Sequence, residues 1–321
     1  MLLDERDWFE KEGIEYISTI AEGSYGKIFL VYSKKIKSNL ALKKIPESDF
    51  SESEVELMKE LSHPNVIKVI QIYRFSSYVY LLMEYCPFDL HKFLEKHEQV
   101  NPDQLNRLCH DILISIKALH DQNIAHSDIK PSNFLLDKTG HVKVCDFGLS
   151  SKYDVNSESQ SHHGTLFFMA PEIFKKQKYN PIKADIWAIG VTFYYMATHS
   201  YPFFSTNILQ FIKIVNNGLY PQYKIPNMAL QMVISRCLEI NPDNRPTIDE
   251  LLRMPYFEIY RSHRSFKSEL LQNTQSQNAI IIKPVLTRIH QIGSEHVSVV
   301  SYRKKRSVSN AFDVKKMISG K

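Results

Sequence analysis

The chain has 321 residues, 43% hydrophobic and 23% charged, enough to bury one sizeable core or two lobes. Its four cysteines, Cys86, Cys109, Cys145 and Cys237, lie far apart with no C-x-x-C pair, which argues against a disulfide framework or zinc site and for a reducing compartment. The net charge of +5 hides an asymmetry: residues 261–321 hold 12 Lys and Arg against 3 Asp and Glu, leaving 28 against 32 in the remainder.

The opening segment, residues 1–13, reads as an extension, and Met1 to Asp7 is too charged for a signal peptide. Residues 16–21, 26–33 and 38–45 carry β-branched and aromatic residues broken by glycine or polar turns, which predicts three strands. Residues 51–61 combine helix formers with a serine start and predict a helix. Residues 69–74 and 78–84 predict two further strands. Beyond them the apolar spacing of Leu105, Leu108, Ile112, Ile116 and Leu119 predicts an amphipathic helix over 102–122. The longest apolar run, around Ile186 to Ala197, is too short to span a bilayer and reads as a buried helix. The fold class is therefore α+β, a small strand-rich part followed by a larger, mainly helical one.

Two short strings concentrate the chemistry. His126-Ser127-Asp128-Ile129-Lys130-Pro131-Ser132-Asn133 supplies a carboxylate, a lysine and an asparagine, and Asp146-Phe147-Gly148 supplies a second carboxylate. Moving a phosphoryl group needs one group to orient a hydroxyl and oxygens to hold Mg²⁺ against the phosphates. The H-x-D-x-x-x-x-N spacing followed by D-F-G resembles the catalytic and metal-binding loops of eukaryotic protein kinases.

Other motifs follow in the order of that family. Ile20 to Ile28 resembles the glycine-rich loop, with Ala21 in place of the first glycine and Gly23 and Gly26 retained. Leu40-Ala41-Leu42-Lys43 is similar to the V-A-I-K strand, and strand alternation favours Lys43 over the adjacent Lys44 as the phosphate ligand. Glu54 is placed to pair with it. Glu84-Tyr85-Cys86 resembles the hinge, with Met83 as gatekeeper and Asp89 placed to meet the ribose. Met169-Ala170-Pro171-Glu172 matches the A-P-E motif, Asp185 to Gly190 resembles the buried helix beneath the catalytic loop, and Arg245 looks like the anchor of Glu172.

The resemblance implies a two-lobed kinase fold over 14–260, with an N-lobe at 14–84 and a C-lobe at 85–260. It implies ATP and Mg²⁺ as cofactors. Asp128, Lys130 and Asn133 take the catalytic places, Asn133 and Asp146 the metal. Ala21, Gly23, Gly26, Ile28, Ala41, Lys43, Glu54, Glu84, Cys86 and Asp89 fall around the nucleotide. Lys130 and Thr165 resemble the serine/threonine type, which implies protein substrates. A pseudokinase on the same fold is the alternative, and retention of all four metal-holding and phosphoryl-moving residues favours catalysis.

Several departures narrow the reading. Ser127 replaces the arginine that usually precedes the base, and only 11 residues separate Lys43 from Glu54, so either the N-lobe helix is short or the approach to it is abbreviated. Ser132 and Lys213 stand where arginine-directed relatives often carry acids. Ser161, four residues before Thr165, sits where many relatives are phosphorylated. The tail, 261–321, reads as a basic, largely disordered extension whose Arg303-Lys304-Lys305-Arg306 run suits a nuclear signal, a docking segment or an autoregulatory stretch. A specific nucleic-acid partner is not expected. The expected setting is a monomer in the cytoplasm, with the nucleus as a second location.

Overall fold

A helix leads the chain: α1 spans Leu3–Lys11, in the segment expected as a mere extension. The computed structural model describes residues 2–260 except 24–25, 51, 148–149, 153–163 and 176–177, and gives backbone alone at 23, 53–54, 57–58 and 151–152. The strands β1 (Ile14–Gly23), β2 (Gly26–Ser33), β3 (Ser38–Pro46), β4 (Val69–Phe75) and β5 (Tyr78–Glu84) form one antiparallel sheet in the order β1-β2-β3-β5-β4. The expected strands at 26–33 and 78–84 occur at those bounds, and the first strand extends beyond 16–21 at both ends.

Side-chain alternation decides what each face does. Leu40 and Leu42 of β3 are buried with Phe29 and Val31 of β2, Tyr80 and Leu82 of β5, and Phe9 of α1. Ala41 and Lys43 take the opposite face and line a cleft. Helix α2 (Glu52–Glu60) has nine residues, a short helix being one of the two outcomes the sequence spacing left open, and Arg74 of β4 ties its Glu52 at 2.6 Å and Glu47 at 2.9 Å.

The larger lobe begins with β6 (Phe88–Asp89) and α3 (Leu90–Lys96). Helix α4 (Pro102–His120) starts as its sequence dictates, with Asn101 capping the Asp103 N–H and Pro102 in the first turn. Its apolar stripe is buried and the helix stops at His120, two residues short of the expected end. Strands β7 (Ile124–Ala125), β8 (Phe134–Leu136), β9 (Val142–Val144) and β10 (Ser151–Lys152) are short: β8 pairs with β6 and β9, and β10 with β7. Helix α5 (Pro181–Thr198) is buried over most of its length, so it carries apolar side chains all round. Helices α6 (Ile208–Asn217), α7 (Met228–Cys237) and α8 (Ile248–Leu252) complete the lobe. A Cβ on Gly190 of α5 would lie 2.7 Å from the Cys237 Cβ, so only glycine permits this approach of α5 to α7. No helix among the described residues is long and apolar enough to cross a membrane.

Candidate active site

The loop between β7 and β8 carries Asp128, and a buried carboxylate beneath it sets the loop's shape. Asp185, on α5, accepts the backbone N–H groups of His126 at 2.8 Å and Ser127 at 2.9 Å, and pairs with His120 Nε2 at 3.0 Å. Ser127 is thereby held at φ +66°, a left-handed conformation few non-glycine residues adopt. His126 is fully buried. Its Nε2 donates to the Cys145 carbonyl at 3.1 Å, and Nδ1 accepts the Asp128 N–H at 3.3 Å. The two chemistry-bearing loops are thus joined through one imidazole, whose ring also lies 5.7 Å from that of Phe147.

Asp128 is enclosed by donors. Lys130 Nζ reaches its Oδ2 at 2.6 Å and Asn133 Nδ2 reaches the same oxygen at 3.1 Å. The Thr165 hydroxyl and N–H both meet Oδ1, and Lys130 also donates to the Thr165 hydroxyl at 2.8 Å. Burial pushes the Asp128 carboxyl up, but Lys130, His126 and Thr165 more than offset this and hold it below the usual aspartate range. It is a carboxylate at neutral pH. Gly164 holds φ +118°, a backbone that strains any side chain, and a Cβ there would sit a tight 3.0 Å from the Ser127 carbonyl oxygen.

Asn133 and Asp146 open onto a cleft of about 350 Å³ between the sheet and the larger lobe. Its walls include the predicted Ala21, Gly26, Ile28, Ala41, Lys43, Glu84, Cys86 and Asp89, with Ile20, Met83 and Leu135 as apolar surface. Lys43 Nζ lies 3.4 Å from Asp146 Oδ1. Asp146 holds φ +64°, a strained backbone of the kind found where a side chain must be aimed. Gly23 pairs with Gly26 at the hairpin end. Glu54 lies in α2, and its side chain falls outside the described residues, as does all of Ser161.

Some features were not anticipated. Asp89 caps α3, accepting the Lys92 N–H at 2.7 Å, and its other oxygen pairs with Lys92 Nζ at 2.9 Å, so both oxygens are already engaged. Glu84 is locked by Lys143 at 3.0 Å and by the Lys68 N–H at 2.7 Å. Burial first, and then the Glu84 charge, pushes the Cys86 thiol up to about 12, while burial also raises Cys145. Neither is a ready nucleophile. The Asp185 contacts had a signal in the polar Asp185 inside an apolar run, whereas Lys143 and Lys92 carried none.

Away from the cleft, Arg245 meets Glu172 in a bidentate pair at 2.5 and 2.7 Å, both side chains buried. The guanidinium also donates to the Glu239 and Lys183 carbonyls and lies 5.1 Å from the Trp187 ring centroid.

A hinged cleft between an antiparallel sheet and a helical lobe, with paired Lys and Asp at its back, defines the class of phosphotransferase folds built on two lobes. The sequence model of the protein kinase domain matches residues 14–257, and the chain belongs to that family. Mouse sperm motility kinase 2B is 31% identical over 245 residues, covering 75% of this chain and 51% of that protein. A Dictyostelium discoideum protein whose name places it among the serine/threonine-protein kinases, MARK-A, is 30% identical over 249 residues, 75% of this chain and 24% of its own length. The carbon catabolite-derepressing protein kinase of Saccharomyces cerevisiae is 27% identical over 272 residues, 82% and 43%. The chain spans about half or less of the length of these relatives.

Proposed function

We propose that the chain is a serine/threonine protein kinase that transfers the γ-phosphoryl group of ATP, with Mg²⁺, to hydroxyls of protein substrates. The observation that carries this reading is the Asp128–Lys130–Thr165 constellation, joined by the Asn133 Nδ2 bond to Asp128 to a cleft that presents Lys43, Asn133 and Asp146.

Asp128, ionised and fixed by donors on both oxygens, orients the incoming hydroxyl and accepts its proton. Lys130 sits where negative charge develops on the transferred group, and a preformed cation there lowers the barrier without reorganisation. Lys43 pairs with the α- and β-phosphates. The apolar walls at Ile20, Ile28, Ala41, Met83 and Leu135 suit a purine ring.

The donor set fits Mg²⁺. Asn133 spends its Nδ2 on Asp128, which leaves its amide oxygen as acceptor, and Asp146 adds carboxylate oxygens beside it in the same cleft. Two protein ligands completed by phosphate and water oxygens are what this hard cation takes, and among the described residues no group of three or more His, Cys, Asp or Glu makes a protein-only cage. When bound, Mg²⁺ neutralises phosphate charge and aligns the nucleotide.

The serine/threonine assignment rests on Lys130 bonded to Thr165 beside the base, and on the relatives' names. Phosphoamino-acid analysis after incubation with Mg-ATP and a generic substrate tests it. Phosphoserine and phosphothreonine are expected, and dominant phosphotyrosine would refute it.

A further inference from the structure

Lys43 and Lys44 are adjacent on β3 and face opposite sides of the sheet. Lys43 lies in the nucleotide cleft. Lys44 is enclosed on the outer face, its side chain only 11% exposed, by the Glu5 carboxylate of α1, itself 5% exposed. Glu5 also accepts the Tyr80 hydroxyl at 2.9 Å and closes its own helix start by accepting the Leu2 N–H at 2.9 Å. The Lys44 ammonium sits 3.7 Å from the centroid of the Tyr78 ring.

The helix is seated by more than this pair. The Phe9 ring meets Tyr73 and Tyr80 edge-on at 5.6 and 4.9 Å, Trp8 stacks on Phe75 at 5.1 Å, and Arg6 covers Tyr16 at 4.1 Å. Such contacts would hold α1 in place with an apolar residue at position 5. A buried carboxylate there needs a reason of its own, since burying an ion pair gives little net stability.

The reason lies in what Lys44 touches. Its carbonyl oxygen is where a side chain on Gly26 would be: a Cβ at Gly26 would fall 2.1 Å from it. Gly26 and Glu22 of the glycine hairpin line the nucleotide cleft on one side. On the other they line an outer cavity of about 400 Å³, with Leu2 and Glu5 of α1 and with Lys44. The hairpin is therefore a thin wall between the two cavities, and the Glu5–Lys44 pair lines the outer one beside it.

We infer that Glu5 is a positioning residue for nucleotide binding: it fixes Lys44, and through the Lys43–Lys44 peptide and its contact with Gly26 it sets the hairpin and Lys43 against the phosphates. This rests on the kinase reading above, and nucleotide affinity measured directly separates the two.

The experiment uses the full chain and four variants, Glu5→Gln, Glu5→Asp, Lys44→Met and the double Glu5→Gln/Lys44→Met. ATP affinity is measured by calorimetry, KM for ATP and kcat by phosphoryl transfer, and melting temperature alongside. Glu5→Gln and Lys44→Met are each expected to weaken ATP binding and raise KM by about fivefold, with kcat within about twofold, the pattern of lost binding rather than lost chemistry. Glu5→Asp keeps the charge and is expected to recover most of the affinity, and Lys44→Met carries the test if Glu5→Gln does not fold. The double variant is expected to be no weaker than either single one, since both act through one contact. Unchanged ATP affinity with a lowered melting temperature would overturn the inference and leave Glu5 a stabilising residue only. Absent phosphoryl transfer by the wild type would count against the kinase reading alone, because the calorimetric affinities would still decide the role of Glu5.

Discussion

Thr165 and Asp128, 37 residues apart, meet at a single oxygen: Asp128 Oδ1 accepts the Thr165 hydroxyl at 3.0 Å and its N–H at 3.1 Å. Oδ2 is held by Lys130 and Asn133. The carboxylate therefore has no rotation left to it. Thr165→Ala removes the hydroxyl's hydrogen bond to Asp128 and the one it accepts from Lys130, and kcat is expected to fall about tenfold, roughly 1.4 kcal/mol, with KM for ATP nearly unchanged. Thr165→Ser should keep most activity. Steady-state kinetics of the two variants checks this, and equal turnover in wild type and Thr165→Ala would contradict it.

Phosphorylation of Ser161 is expected to matter little. A loop phosphate orders its segment by pairing with basic side chains, chiefly an arginine beside the base. Here that neighbour is Ser127, whose backbone is committed to Asp185. Phosphatase-treated enzyme and Ser161→Ala should each keep most of the untreated activity. A loss of about tenfold, or roughly 1.4 kcal/mol, would show that another cation reads the phosphate.

Breaking the Glu172–Arg245 pair should unfold the larger lobe easily. Arg245→Leu leaves a buried carboxylate without its cation, which costs about 3–5 kcal/mol. Urea unfolding followed by tryptophan fluorescence reads this well, because Trp187 lies against the guanidinium. A midpoint within error of wild type would refute it.

The Glu5 pair also has a pH signature. Burial raises the Glu5 carboxyl, but the bonds from Lys44, the Leu2 N–H and Tyr80 outweigh it and hold the group below its ordinary 4.5. A carboxyl depressed on folding stabilises the native state above its unfolded value and loses that contribution as pH falls through the folded one. The gap in melting temperature between wild type and Glu5→Gln should be widest near neutral pH and shrink below about 4.5. A gap that widens on acidification would contradict this.

The parts legible in the sequence are those whose partners are near in sequence or whose order is fixed by chemistry. Strand 26–33 was marked by its β-branched and aromatic residues between glycine and polar turns, and strand 78–84 by a continuous apolar run that is buried through its middle. The distance between Lys43 and Glu54 left a short α2 as one of two outcomes, and Lys43 was separable from Lys44 by motif spacing together with strand alternation. Glu5 was not legible. It sits in a run of charged residues that reads as solvated, and its partners Lys44 and Tyr80 lie 39 and 75 positions away. Asp89 was legible as a cleft residue but not as the cap of α3, because the same carboxylate suits either use and only the backbone shows that Lys92 follows it on a helix.

The most direct test of the account is phosphoryl transfer by Asp128→Asn beside wild type, with ATP affinity measured on both. Asparagine keeps the shape of the side chain but cannot accept the proton, so turnover should drop by about 10²- to 10⁴-fold while ATP binds almost as before. Asp146→Asn should instead weaken Mg-ATP binding and turnover together. Wild-type-like turnover by Asp128→Asn would contradict the claim that this chain moves a phosphoryl group through Asp128.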